Sequence, residues 1–116
     1  MDIYHSWFNL KPGVKDVELV EHAKSYFEHL KAEGLLAGYR IMRRKLGLSG
    51  ADVPEFHVML EFEGLAQLDR LFALVAARSE PIESLHHGVN SRVKDATFAL
   101  YRDFPDEVRV TGQELF

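Results

Sequence analysis

Residues 55 to 63, Glu-Phe-His-Val-Met-Leu-Glu-Phe-Glu, alternate without a break. Phe56, Val58, Leu60 and Phe62 fall on one side of an extended chain, and His57, Met59 and Glu61 fall on the other. A period of two marks a strand whose faces meet different surroundings. The apolar side requires a core. The opposite side carries a histidine and a carboxylate, so a partner, a ligand or a reaction is expected there.

The chain of 116 residues is expected to form one domain, with a core over 2–104 and a tail over 105–116. Hydrophobic residues make up 47%, enough for a packed interior and too many for a disordered chain. The formal net charge of -4, with scattered Lys and Arg, argues against an open nucleic-acid surface. Absence of cysteine excludes disulfides, thiolate catalysis and Cys-ligated zinc. No apolar run approaches the roughly 18 residues of a membrane span. The first residues, Met-Asp-Ile-Tyr-His, lack the basic and apolar regions of a signal peptide. A soluble cytoplasmic protein is expected.

Residues 2–10 read as a first strand, with Tyr4, Ser6, Phe8 and Leu10 on one face and Ile3, His5, Trp7 and Asn9 on the other. Large groups on both faces predict a central strand covered on both sides. Lys11-Pro12-Gly13 ends it, because proline lacks the N–H and glycine permits a sharp turn. Leu19, Val20, Ala23, Phe27 and Leu30 recur at helical spacing and predict a helix over 14–33, closed by Gly34, with His22 and His29 on its polar flank. A second strand is expected over 35–46 and a flexible connection over 46–54. The third strand is 55–63. Leu65, Leu68, Leu71, Phe72, Val75 and Ala76 predict the buried stripe of a second helix over 64–78. A short helix over 82–90 and a last strand over 95–104 follow, with Phe98 and Leu100 on one face and Thr97, Ala99 and Tyr101 on the other.

Strand, helix, strand, strand, helix, strand is an α+β order. Two such crossover units make a four-stranded antiparallel sheet with the helices on one face. The helix-free face would then carry His5, Trp7, His57, Met59 and Tyr101, a large aromatic patch for a monomer. A second copy of the sheet is expected to cover it, since symmetric pairing is the commonest solution.

The run Phe8-Asn9-Leu10-Lys11-Pro12-Gly13-Val14 carries a strand into a Lys-Pro-Gly-Val turn and a helix. In this run and in element order over most of 2–104, the chain resembles the dimeric α/β-barrel superfamily, and is most similar to its stress-responsive A/B-barrel branch. The resemblance implies a ferredoxin-like βαββαβ domain in a homodimeric α+β barrel. The superfamily includes cofactor-free monooxygenases, haem-binding enzymes and polyketide cyclases, so the resemblance implies no single activity. Cyclases of the stress-responsive branch carry a histidine in the first strand and a His-Pro-x-His segment after the second helix. This chain has Tyr4 at the first position and Ser79-Glu80-Pro81-Ile82 at the second. Asn, Trp and His serve the haem-degrading members; Asn9, Trp7 and His57 do not align with that arrangement.

The candidate site residues are His57 as a general base and His5, Trp7, Met59, Glu61, Tyr101 and Tyr4 as ligand-binding groups. Histidine suits base catalysis because it titrates near neutrality. His57 and Glu61 stand about 13 Å apart along a strand, too far to pair directly. With His5 they offer a metal-ligand set on paper; the alternative is a hydrogen-bonded dimer interface, and no metal or cofactor is expected. Trp7 and Tyr101 suit either a planar ligand or an interface anchor. Tyr4 and Tyr26 suit a pocket between sheet and first helix, or plain packing. Neighbouring His86 and His87 point about 100° apart on a helix, which favours capping of the loop before the last strand. Arg40, Arg43 and Arg44 suit a ligand carboxylate, a solvated strand end or salt bridges to acids of the tail. Two functions follow: binding of a small, largely apolar ligand, or a cofactor-independent monooxygenase or isomerase-like catalyst using His57. An open pocket with His57 in its wall would favour catalysis.

Overall fold

The structure is a computed structural model that describes residues 1–48 and 52–113. The described residues form β1 (Asp2–Leu10), α1 (Asp16–Ala32), β2 (Gly38–Arg43), β3 (Phe56–Phe62), α2 (Leu65–Ala76), α3 (Ile82–Asn90) and β4 (Val93–Arg102). The strands make one antiparallel sheet in the order β2-β3-β1-β4. This is the ferredoxin-like α+β arrangement expected from the element order. Residues 49–51 of the expected connection, and 114–116 of the tail, lie outside the described residues.

β3 is the sheet's best-defined two-faced element. Phe56, Val58, Leu60 and Phe62 are buried, and the residues between them are half-buried. They pack under α1, whose Leu19, Ala23, Phe27 and Leu30 are buried. Phe8 of β1 stacks on Phe56 with ring centroids 5.7 Å apart. At the sheet margin buried Asp2 accepts a hydrogen bond from Arg102 Nε at 2.6 Å, joining β1 to β4.

α1 begins with Asp16 and Glu18 and ends with His29 and Lys31, charges that complement the helix dipole. It closes in a Schellman motif. Gly34 N–H donates to Lys31 O at 3.0 Å and Leu35 N–H to Leu30 O at 2.9 Å, with Gly34 at φ 71°. The turn sends Leu35 and Leu36 into the core. β2 therefore starts at Gly38 rather than at 35, because those two leucines serve the core from a loop. α3 packs on α1 closely enough that a Cβ on Gly88 would lie 3.0 Å from His22 Nδ1. Arg92 fastens the same contact, donating from Nε to Glu18 Oε1 at 2.9 Å.

Two further expectations need correction. The last strand is Val93–Arg102, two residues earlier than its alternation predicts. Trp7 pairs with Thr97 but Asn9 with Lys94, so β4 holds one extra residue opposite Phe8. That bulge, with Asp95 at φ 56°, breaks the period of two at the strand's start. In α2 only Leu71 is buried. Leu65 and Phe72 are 49% and 40% exposed, and Ala76 is exposed; Phe72 and Ala76 border a cavity between this helix and the sheet.

Candidate functional site

The two faces of the sheet carry two different constellations. On the helix side, the strands and the three helices border a cavity of about 350 Å³ that is partly open to solvent. Tyr4, Ser6 and Phe8 of β1 and Val58 and Leu60 of β3 form its floor. Tyr26 of α1, Phe72 and Val75 of α2, and His86 of α3 form its roof, and Phe98 of β4 closes one side. Among the described residues, no lysine, arginine, aspartate or glutamate lines it.

Aromatic contacts hold this lining in place. Tyr4 meets Phe72 edge to face at 5.3 Å and stacks with Phe98 at 5.7 Å. The edge of one ring meets the face of the other between Tyr26 and His86, with centroids 5.9 Å apart. Burial pushes the Tyr4 hydroxyl above its ordinary range and the Tyr26 hydroxyl up to about 12. Loss of water disfavours the phenolate in each case, so both tyrosines are neutral donors at pH 7. Neither hydroxyl is bonded to protein among the described residues. The cavity thus offers a charge-free apolar wall with two phenol donors, the Ser6 hydroxyl and an imidazole.

On the helix-free side, register brings distant residues together. Trp7 pairs with His57, His5 with Met59 and Ala99, and Ile3 with Tyr101. His5 Nδ1 and His57 Nε2 are 2.8 Å apart, a hydrogen bond in which one ring donates and the other presents its lone pair. Trp7 stacks on His57 at 4.7 Å, and Tyr101 meets His5 edge to face at 4.8 Å. Burial, and secondarily the neighbouring His5, hold the His57 pKa below its ordinary value.

Of the expected site residues, His5, Trp7, His57 and Tyr101 come together, with Met59 beside them on β3. Glu61 stands apart, opposite Ile3 and Gly38. No group of three or more metal-ligating side chains forms among the described residues, so His5, His57 and Glu61 do not converge. Tyr4 alone of the set lines the cavity; His57 lies on the other face of the sheet from it. Asn9 has a structural post: its Oδ1 accepts from Glu55 N–H at 2.9 Å and its Nδ2 donates to Asp95 at 3.3 Å. Arg43 pairs not with acids of the tail but with Glu55 and Asp16, donating at 2.7 Å and 2.8 Å, and Arg44 donates to the Val53 carbonyl.

His86, expected to cap a loop, lines the cavity instead. A signal for it exists: Ile82, Leu85, His86 and Val89 share one helical stripe at the spacing i, i+3, i+4, i+7. No helix among the described residues is long and apolar enough to cross a membrane.

A family model described as "Family of unknown function (DUF6614)" matches residues 1–116. No curated protein matches the chain. Among solved structures, the chain is similar to the Arabidopsis thaliana protein At3g17210, at 12% identity and TM-score 0.73, over 95% of this chain and 100% of that one. It is similar to SnoaB, a cofactor-independent oxygenase from Streptomyces nogalater, at 6% identity and TM-score 0.67, over 93% and 97% of the two chains. It is also similar to a dimeric ferredoxin-like protein of unknown function from Jannaschia sp. CCS1, at 13% identity and TM-score 0.61, over 89% and 100%. At these identities the likeness is one of fold.

Proposed function

The chain belongs to the Family of unknown function (DUF6614), and we propose that it is a homodimer whose subunits each bind a small, largely apolar molecule in the helix-side cavity. One observation carries the binding reading: a charge-free cavity of about 350 Å³ whose polar groups include two neutral tyrosine hydroxyls without protein partners. Pockets of about this size, mostly apolar with a few convergent polar groups, are typical of small-molecule sites. An ionised ligand buried there would lack a counter-charge. Aromatic walls from Tyr4, Phe72 and Phe98 suit a planar body.

The dimer reading rests on the helix-free face. Trp7, His57, Met59 and Tyr101 share it, and Tyr101 is 58% exposed in the single chain. A second sheet packed there would bury this patch, and dimeric proteins of the same fold support that arrangement. His57, facing this side, is better suited to an interface than to the general-base role of an oxygenase-like catalyst. Assignment to the stress-responsive branch belongs to the same reading and rests on the strand-to-turn run Phe8–Val14.

The test is a fluorescence titration with N-phenyl-1-naphthylamine, a neutral aromatic probe that brightens in apolar surroundings. Saturable binding of one probe per chain is expected. Ala96→Phe, which puts a ring into the cavity from an exposed position on β4, should abolish it. Absence of binding to the wild-type protein, or binding untouched by Ala96→Phe, refutes the cavity as a ligand site.

A further inference from the structure

A second concavity adjoins the cavity and shares three of its walls: Val75, His86 and Asn90. It adds Arg78, Glu83 and His87. The cavity thus borders, across His86, a polar vestibule with one guanidinium and one carboxylate on its rim.

Arg78 is unusual in its backbone. Its φ is 54°, in the left-handed region that side chains avoid. Arg78 N–H donates to Val75 O at 3.1 Å and Ser79 N–H to Leu74 O at 3.2 Å, so α2 ends in the same Schellman motif as α1. There the left-handed position is Gly34; here it is an arginine. Capping does not explain that choice, since glycine or asparagine fits better. Nor does pairing: among the described residues the Arg78 side chain has no hydrogen bond or ion pair, with Glu83 included. A backbone outlier kept at the mouth of a cavity is a pointer to function.

We propose that cavity and vestibule form one amphipathic site, which takes a ligand with an apolar, ring-sized body and a single anionic group held at the mouth by Arg78. The inference rests on the binding reading above and extends it: the body that enters the cavity is uncharged, and the charge stays outside. Guanidinium suits a carboxylate or sulfonate because its N–H groups donate in a fork. Glu83 on the same rim disfavours a second negative charge. Asn90 and His87 offer hydrogen-bonding groups beside the anion.

Two probes with the same ring body separate this from the simpler reading. N-phenyl-1-naphthylamine is neutral, and 8-anilinonaphthalene-1-sulfonate adds one sulfonate. In the wild-type protein at low salt, the sulfonate is expected to bind roughly tenfold tighter, the scale of one charge-assisted contact. Arg78→Asn should remove that advantage and leave the neutral probe unchanged. Asparagine tolerates the left-handed backbone, so the fold should persist, and a thermal melt verifies it. Arg78→Lys should restore part of the preference. Ala96→Phe should block both probes, which ties them to the cavity. Equal affinity for the two probes, or a sulfonate advantage that survives Arg78→Asn, overturns the proposal while leaving the cavity standing. Failure of the neutral probe to bind overturns the cavity reading and this inference with it.

Discussion

Leu30 and Leu60 are both buried leucines, at 0% and 8% exposure, but they face different things. Leu30, near the end of α1, is enclosed on all sides and does not line the cavity. Leu60, on β3, presents part of its side chain to the cavity. Truncating a buried leucine to alanine costs ~2–5 kcal/mol, and the spread follows the size of the void left behind and how tightly the leucine was packed. Leu30→Ala leaves a new, closed void and should cost ~3–5 kcal/mol. Leu60→Ala removes less dispersion attraction, because one side of the leucine already meets empty space; its cost should sit at the low end, ~2–3 kcal/mol. The difference, about 1.5 kcal/mol between the middles of the two ranges, is the measurable quantity, read from urea melts of both variants at the same protein concentration. Leu60→Ala should also enlarge the chamber and admit a bulkier aromatic probe than the wild type does. If Leu60→Ala costs as much as Leu30→Ala and probe size makes no difference, the chamber is closed in solution and the reasoning from it fails.

Trp7→Glu places a charge in the centre of the proposed interface, where desolvation is costly, and should weaken the dimer by at least tenfold in sedimentation equilibrium; a wild-type protein that is monomeric at micromolar concentration would remove the premise. The lowered His57 pKa has a definite sign: the unfolded chain takes up the proton more readily, so stability is unaffected above about pH 6.5 and falls as the pH drops below it toward the folded-state value. Melting temperatures of the wild type should therefore decline through that window, with a shallower decline for His57→Gln, which should leave binding of the neutral probe intact. Parallel declines in the two proteins would mean that protonation of the partly buried His57 does not drive the acid response.

Local pattern determined the large features of this protein because each depends on neighbouring residues alone. The unbroken alternation from Phe56 to Phe62 identified a two-faced strand, and its buried set is the one the structure buries. The helical spacing of Leu19, Ala23, Phe27 and Leu30, with Gly34 after it, identified α1 and its stop. Element order then implied the sheet, and with it the company of His5, His57 and Trp7 on one face. Alternation failed where geometry stops being periodic: the bulge opposite Phe8 moved the start of β4, and the turn after Gly34 sent Leu35 and Leu36 inward. It could not decide where the site lies. The cavity exists because Tyr4, Tyr26, Phe72, His86 and Phe98 converge from five elements without filling the space between them. Likewise the vestibule gathers Arg78, which holds a left-handed backbone at the end of α2, with Glu83 and His87 of α3. A face is a property of a segment and can be read along the chain; a cavity is a property of the gaps between segments, and only the packed structure sets those.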